Sequence, residues 1–131
     1  MLRAEQLRLL RDAGMEVGAH TMTHPILASL DDAAARREIE DSRDALRSIL
    51  GAPVTLFAYP NGQPGRDYRG EHVRMVKNAG FRAAWSTAHG AADRACDAYQ
   101  IPRITAWQAD PRRFAWSLAR TILRGGSAAR A

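Results

Sequence analysis

Stretches with helical spacing alternate along this chain with short apolar runs, and that alternation limits its fold more than any other feature. Residues 2–13 set Leu2, Leu7, Leu10 and Ala13 near one helical face before Gly14. Ser29 and Asp32 read as a capping box for a longer helix, whose apolar face holds Ala35, Ile39, Ser42, Leu46, Ile49 and Leu50 until Gly51 and Pro53 stop it. The opposite face carries Arg36, Arg37, Glu38, Glu40, Asp41, Arg43, Asp44 and Arg47. Four pairs there (Arg36/Glu40, Arg37/Asp41, Glu40/Arg43 and Asp44/Arg47) lie at pairing distance, so this face is expected to be solvated. Further helices are predicted over 71–78, closed by Gly80, and from Asp110-Pro111 to Gly125-Gly126. Between the helices, residues 15–20 alternate like a strand, 54–59 and 81–87 are apolar runs, and 99–106 center on Ile101 and Ile104. Residues 88–98 read as a loop. The order α, β, α, β, α, β, β, α with crossover-length helices predicts an α/β fold of parallel strands flanked by helices. At 131 residues the chain is too short to close an eight-stranded α/β barrel of about 250 residues, so any barrel must be partial.

Charge narrows the function classes. The formal net charge is +5, yet residues 1–102 hold thirteen basic and thirteen acidic side chains. The excess comes from Arg103, Arg112, Arg113, Arg120, Arg124 and Arg130 against Asp110. The body is therefore not a nucleic-acid surface by composition. The lone Cys96 excludes an intrachain disulfide and a thiolate metal cluster. No run approaches the ~18 apolar residues of a membrane span, and the first residues lack the apolar core of a signal peptide. The helix that begins at Met1 without a preceding cap suggests a missing upstream segment.

Two segments could carry chemistry. In His20-Thr-Met-Thr-His24-Pro25 the histidines are four apart, as in metal-binding helices. However, Pro25 disfavors the α region at His24, and Glu is absent at position 21. The pair instead falls at a strand's C-terminal end and in the loop that leaves it, where α/β folds place ligand sites. Neutral imidazoles there could hold Zn²⁺, or could satisfy loop backbone groups. The second segment, Phe57-Ala-Tyr59-Pro60-Asn61-Gly62, also ends a strand. Its Pro and Gly could aim backbone N–H groups at an oxyanion, or form an ordinary turn.

Together with residues 37–42 (Arg-Glu-Ile-Glu-Asp-Ser), 76–87 and 101–104 (Ile-Pro-Arg-Ile), residues 14–30 and 57–62 resemble the polysaccharide deacetylase (NodB-like, carbohydrate esterase family four) domain. The resemblance spans roughly residues 1–108. It implies a distorted (β/α) barrel, here partial and without its first strands. It also implies a divalent metal, usually zinc, held by an aspartate and two histidines that match His20 and His24. The metal-bound water, activated by an aspartate base, would attack an N-acetyl or O-acetyl carbonyl of an acetylated oligo- or polysaccharide. Pro60 and Gly62 match the family's oxyanion loop, so the Asn61 backbone N–H is the expected donor, with Tyr59, Pro60 and Gly62 in contact with substrate.

The sequence departs from that pattern in three places. The Asp-Asp-Gly strand that supplies the base and third ligand would lie upstream of Met1, and Asp31-Asp32 opens a helix instead. Ala58 stands where the family has an arginine. The Leu-x-His motif of the general acid has no clear match, leaving His89 as a possible substitute, while His72 is expected to be solvated. Residues 109–131 form a basic amphipathic helix and tail, with Phe114, Leu118, Ile122 and Leu123 in a stripe that would pack on the domain or, alternatively, touch an anionic membrane surface. The expected activity of the complete domain is hydrolysis of a carbon–nitrogen (non-peptide) bond. The alternatives are an inactive fragment and a surface-binding module acting through the basic helix.

Overall fold

The computed structural model describes residues 2–104 and 109–123. In chain order the elements are α1 (Ala4–Asp12), a 3₁₀ turn (Leu27–Ser29), α2 (Asp32–Leu50), β1 (Leu56–Ala58), α3 (Gly70–Asn78), β2 (Ala83–His89), β3 (Ile101–Arg103) and α4 (Pro111–Leu123). The strands form a parallel sheet in the order β1-β2-β3, with Phe57 opposite Ala84 and Trp85 opposite Ile101. The fold is the expected α/β one, a truncated barrel with three named strands. The final residues of the predicted last strand and helix lie outside the described residues.

Residues 15–20 do not form the expected strand. Only Ala19 pairs, by a single parallel bridge to Phe57 in which Ala19 N donates to Leu56 O (2.8 Å) and Ala58 N to Ala19 O (2.9 Å). Of the face expected to point inward, Ala19 is buried and Val17 half-buried, but Met15 is exposed, and only Ala19 comes into ladder register with Phe57.

Ala35, Ile39 and Leu50 from α2 join Phe57, Tyr59, Tyr68, Val76, Phe81 and Ala84 in one core. Asp31 caps α2, its carboxylate accepting from Ala34 N (2.7 Å). The Ser29 capping box does not form, because Ser29 closes the 3₁₀ turn and its hydroxyl donates to Ile26 O (2.7 Å). Gly51 ends α2 at φ 63°.

The charged face of α2 is less idle than its spacing suggests. Among the described residues, the ion pair on this helix joins Arg43 to adjacent Asp44 (2.8 Å) rather than any of the four predicted pairs. Helix ends are finished by arginines from neighboring helices. Arg8 Nε donates to Ile49 O (2.9 Å), the Arg11 guanidinium donates to Leu50 O, and that of Arg43 donates to Ala79 O. These carbonyls end α2 and α3, where unpaired acceptors and the negative end of the dipole favor cations.

His72 is buried, not solvated. It occupies the third position of α3, where its Nδ1 accepts from Arg69 N (2.9 Å), the task a Glu or Gln performs in a capping box. Burial holds its imidazole below the ordinary value, against a partial upward pull from Glu71 and Asp32. The unfolded chain therefore takes up this proton first. The stability contributed by His72 is full above about pH 6.5 and is lost as pH falls toward the folded value. The thermal midpoint is expected to fall between pH 7.5 and pH 5, and to fall less in His72→Gln, which keeps an acceptor for Arg69 N. Equal slopes in the two proteins would remove His72 as the cause.

Candidate metal and oxyanion site

Residues 20–25 leave the sheet at Ala19 and turn across the end of β1. His20 is exposed, and its Nδ1 lies 2.7 Å from Ala58 O, the last carbonyl of β1. A carbonyl can only accept, so the proton sits on Nδ1 and the neutral ring keeps its lone pair on Nε2. His24 is also exposed, and its ring center lies 4.8 Å from that of His20, edge to face at 67°. The loop reaches this geometry through two left-handed non-glycine residues, Thr21 (φ 63°) and His24 (φ 62°). Each such residue costs about 1–2 kcal/mol, so the conformation must be held from outside. Thr21 bridges the pair, with Oγ1 donating to His20 O (2.6 Å) and accepting from His24 N (3.1 Å). Glu38 of α2 accepts from Met22 N, Thr23 N and Thr23 Oγ1. Burial raises the Glu38 pKa, but the bonds from Thr23 and Met22 together outweigh it and leave the carboxyl below its usual range. Sequence reasoning missed this role, since helical spacing shows only which charges are neighbors on α2.

The second loop begins where β1 ends. Tyr59 N donates to Trp85 O (3.1 Å), and Asn61 (φ 54°) and Gly62 (φ 73°) are both left-handed. Thr87 of β2 fastens the turn, with its N–H donating to Gly62 O (2.8 Å) and its hydroxyl to Asn61 O. The Gln63 amide donates to Thr87 Oγ1 (2.9 Å). Pro60 has no N–H, and Gly62 N folds back onto Pro60 O (2.6 Å). The Asn61 N–H has no acceptor among the described residues, and Asn61 is exposed.

The other expected site residues fall elsewhere. The Tyr59 side chain is in the core, stacked on Tyr68 at 3.8 Å, and its hydroxyl donates to Tyr99 O (3.0 Å). Burial pushes that phenol's pKa upward, and the Tyr68 phenol's up to about 12. Pro60 is also fully buried, so neither the Tyr59 nor the Pro60 side chain is open to solvent. His89 ends β2, two residues past Thr87, and lies opposite Arg103 of β3 across an irregular stretch of the ladder. Its Nε2 lies 3.3 Å from Thr121 Oγ1 of α4.

Two imidazoles, one fixed by a backbone carbonyl, fit the nitrogen donors that zinc favors. Among the described residues no third His, Cys, Asp or Glu joins them.

The fold of parallel strands and flanking helices is matched by known proteins. The polysaccharide deacetylase family matches residues 3–84, and the chain belongs to that family. Bacillus subtilis (strain 168) YxkH is 25% identical over 103 residues, covering 79% of this chain and 36% of YxkH. The peptidoglycan-N-acetylmuramic acid deacetylase PdaC from the same organism is 38% identical over 56 residues, 43% of this chain and 12% of PdaC. Among solved structures, Streptococcus pyogenes deacetylase PplD superposes with a TM-score of 0.78 at 24% identity, covering 92% of this chain and 50% of that one. A family 4 carbohydrate esterase from Streptomyces lividans gives 0.58 at 21% identity, covering 92% of this chain and 67% of that one. The chain thus spans about a third of the length of YxkH and half that of PplD.

Proposed function

We propose that this chain supplies the histidine and oxyanion portion of a carbohydrate deacetylase, a hydrolase that removes acetyl groups from N-acetylated or O-acetylated sugars. The observation that carries the reading is the juxtaposition of His20 and His24 at the end of β1, where the loop bearing the free Asn61 N–H begins. His20 and His24 would hold the divalent metal, most simply zinc, which when bound polarizes a carbonyl and acidifies water. The chain's own residues then have distinct tasks. The Ala58 carbonyl, accepting from Nδ1–H, selects the His20 tautomer whose Nε2 faces the metal. The Asn61 N–H, held outward by the Thr87 bonds, meets the negative charge that develops on the acetyl oxygen. A carboxylate to complete the ligands and accept the proton from water would have to join them, and none stands beside the pair among the described residues. His89 stays a candidate proton donor to the leaving group only if substrate extends along β2. Phe114 and Leu118 of α4 are half-buried, which supports packing of that part of the helix on the domain, while Trp116, Ile122 and Leu123 are exposed.

Zinc titration of this chain is expected to show weak binding that disappears in His20→Ala, with no acetate released from chitooligosaccharide. Equal binding in His20→Ala would remove the pair as the metal site. Robust acetate release by the 131-residue chain would remove the requirement for an added carboxylate.

A further inference from the structure

The charge pattern puts Glu38 on a solvated stripe, yet every hydrogen bond from residues 21–24 to a distant part of the described fold ends on its carboxylate. Oε2 accepts from Met22 N (2.8 Å) and Thr23 N (2.9 Å), and Oε1 accepts from Thr23 Oγ1 (2.8 Å). The other bonds of this stretch are local, from Thr21 Oγ1 to His20 O and from His24 N to Thr21 Oγ1. A groove of about 270 Å³ lined by Met22, Thr23, Pro25, Leu30, Arg37 and Glu38 lies between loop and helix. The dipeptide that Glu38 holds is flanked by the two left-handed residues, Thr21 and His24, that turn the second imidazole back toward the first.

We propose that Glu38 is a positioning residue that sets the His20–His24 spacing and, through it, the divalent-metal affinity of the pair. The second half of this statement rests on the metal reading above; the first does not. Without the carboxylate, the Met22 and Thr23 N–H groups turn to water and the loop relaxes from its left-handed turns, separating the rings. Glutamine preserves the geometry. Its carbonyl oxygen takes the two N–H donors, and its NH₂ faces the Thr23 hydroxyl, which rotates to accept. Alanine removes all three bonds, and aspartate, one methylene shorter, does not reach across the groove.

The test uses the full chain and the variants Glu38→Ala, Glu38→Asp, Glu38→Gln, His24→Ala and the Glu38→Ala/His24→Ala double. Helix content by circular dichroism is expected to stay unchanged, since α2 is anchored by its opposite face. Without metal, the nuclear Overhauser contact between the His20 and His24 rings and the slow exchange of the Met22 and Thr23 amides are expected to vanish in Glu38→Ala and Glu38→Asp and to persist in Glu38→Gln. In competition with a chromogenic chelator, zinc affinity is expected to fall about 10- to 100-fold in Glu38→Ala, to be largely kept in Glu38→Gln, and to be no weaker in the double variant than in His24→Ala. Retention of the ring contact in a folded Glu38→Ala would overturn the proposal. So would an equal loss of affinity in Glu38→Gln, which would assign the effect to charge, or a further loss in the double variant, which would show an action not passing through His24. If the parent chain binds no zinc, the metal reading fails, and the ring contact and amide exchange still decide whether Glu38 sets the spacing.

Discussion

Truncating Phe57 to alanine is expected to lower the unfolding free energy by about 3–5 kcal/mol, a large share of the 5–15 kcal/mol typical of a folded domain. Phe57 is the middle residue of β1 and only 1% exposed. Its ring packs edge-on to Tyr59 at 5.3 Å and tilted against Phe81 at 5.2 Å. Its backbone lies between Ala19 on one side and Ala84 on the other. The cavity left by the ring would open beneath both loops of the site, and neither strand neighbor can collapse inward without breaking register. Urea unfolding followed by circular dichroism measures the effect. A midpoint shift equivalent to less than about 1 kcal/mol would mean that the core repacks around the gap.

The second large effect is expected at Gly62. With φ at 73°, a Cβ there would stand 3.0 Å from both Thr87 N and Tyr59 O, backbone atoms that cannot swing aside. Gly62→Ala combines a left-handed penalty of about 1–2 kcal/mol with an overpacking penalty of about 1–3 kcal/mol, about 2–5 kcal/mol together. Gly65→Ala separates the two parts, because Gly65 has φ 77° but nothing within 4 Å of the added Cβ. Only the conformational part is expected at Gly65. If both substitutions destabilize equally, the close approach to Thr87 carries no weight. Faster exchange of the Thr87 amide, which donates to Gly62 O, would locate the damage in the oxyanion loop.

These two positions show what the sequence makes legible. The run around Phe57 and the Pro60–Gly62 turn are local signals, as is α2, whose buried Ala35, Ile39, Ser42 and Leu50 repeat at helical spacing up to a left-handed Gly51. The His20–His24 pair stands out by spacing and by the proline after it, and the structure brings the two rings together. Features that depend on which elements meet in space are not legible. Glu38 looks like any exposed acid until the loop folds over α2, His72 looks solvated until α3 packs down, and Tyr59 is drawn into the core by Tyr68 and Tyr99, nine and forty residues away. Residues 15–20 carry a strand alternation that only its end fulfills: Met15 is exposed, and a ladder is made by neighbors, of which only Ala19 has one.

The arginines at the helix ends link α1 to α2 and α2 to α3. α1 closes two terminal carbonyls of α2, and α2 closes one of α3, so unwinding α1 would leave the end of α2 without these two donors. Arg43 engages Asp44 through Nε and Nη2 and Ala79 O through Nη1, a division among separate nitrogens that a lysine ammonium does not have. In a chain with one lysine and eighteen arginines, that fork joins the two helices that lie on either side of β1 in the sequence.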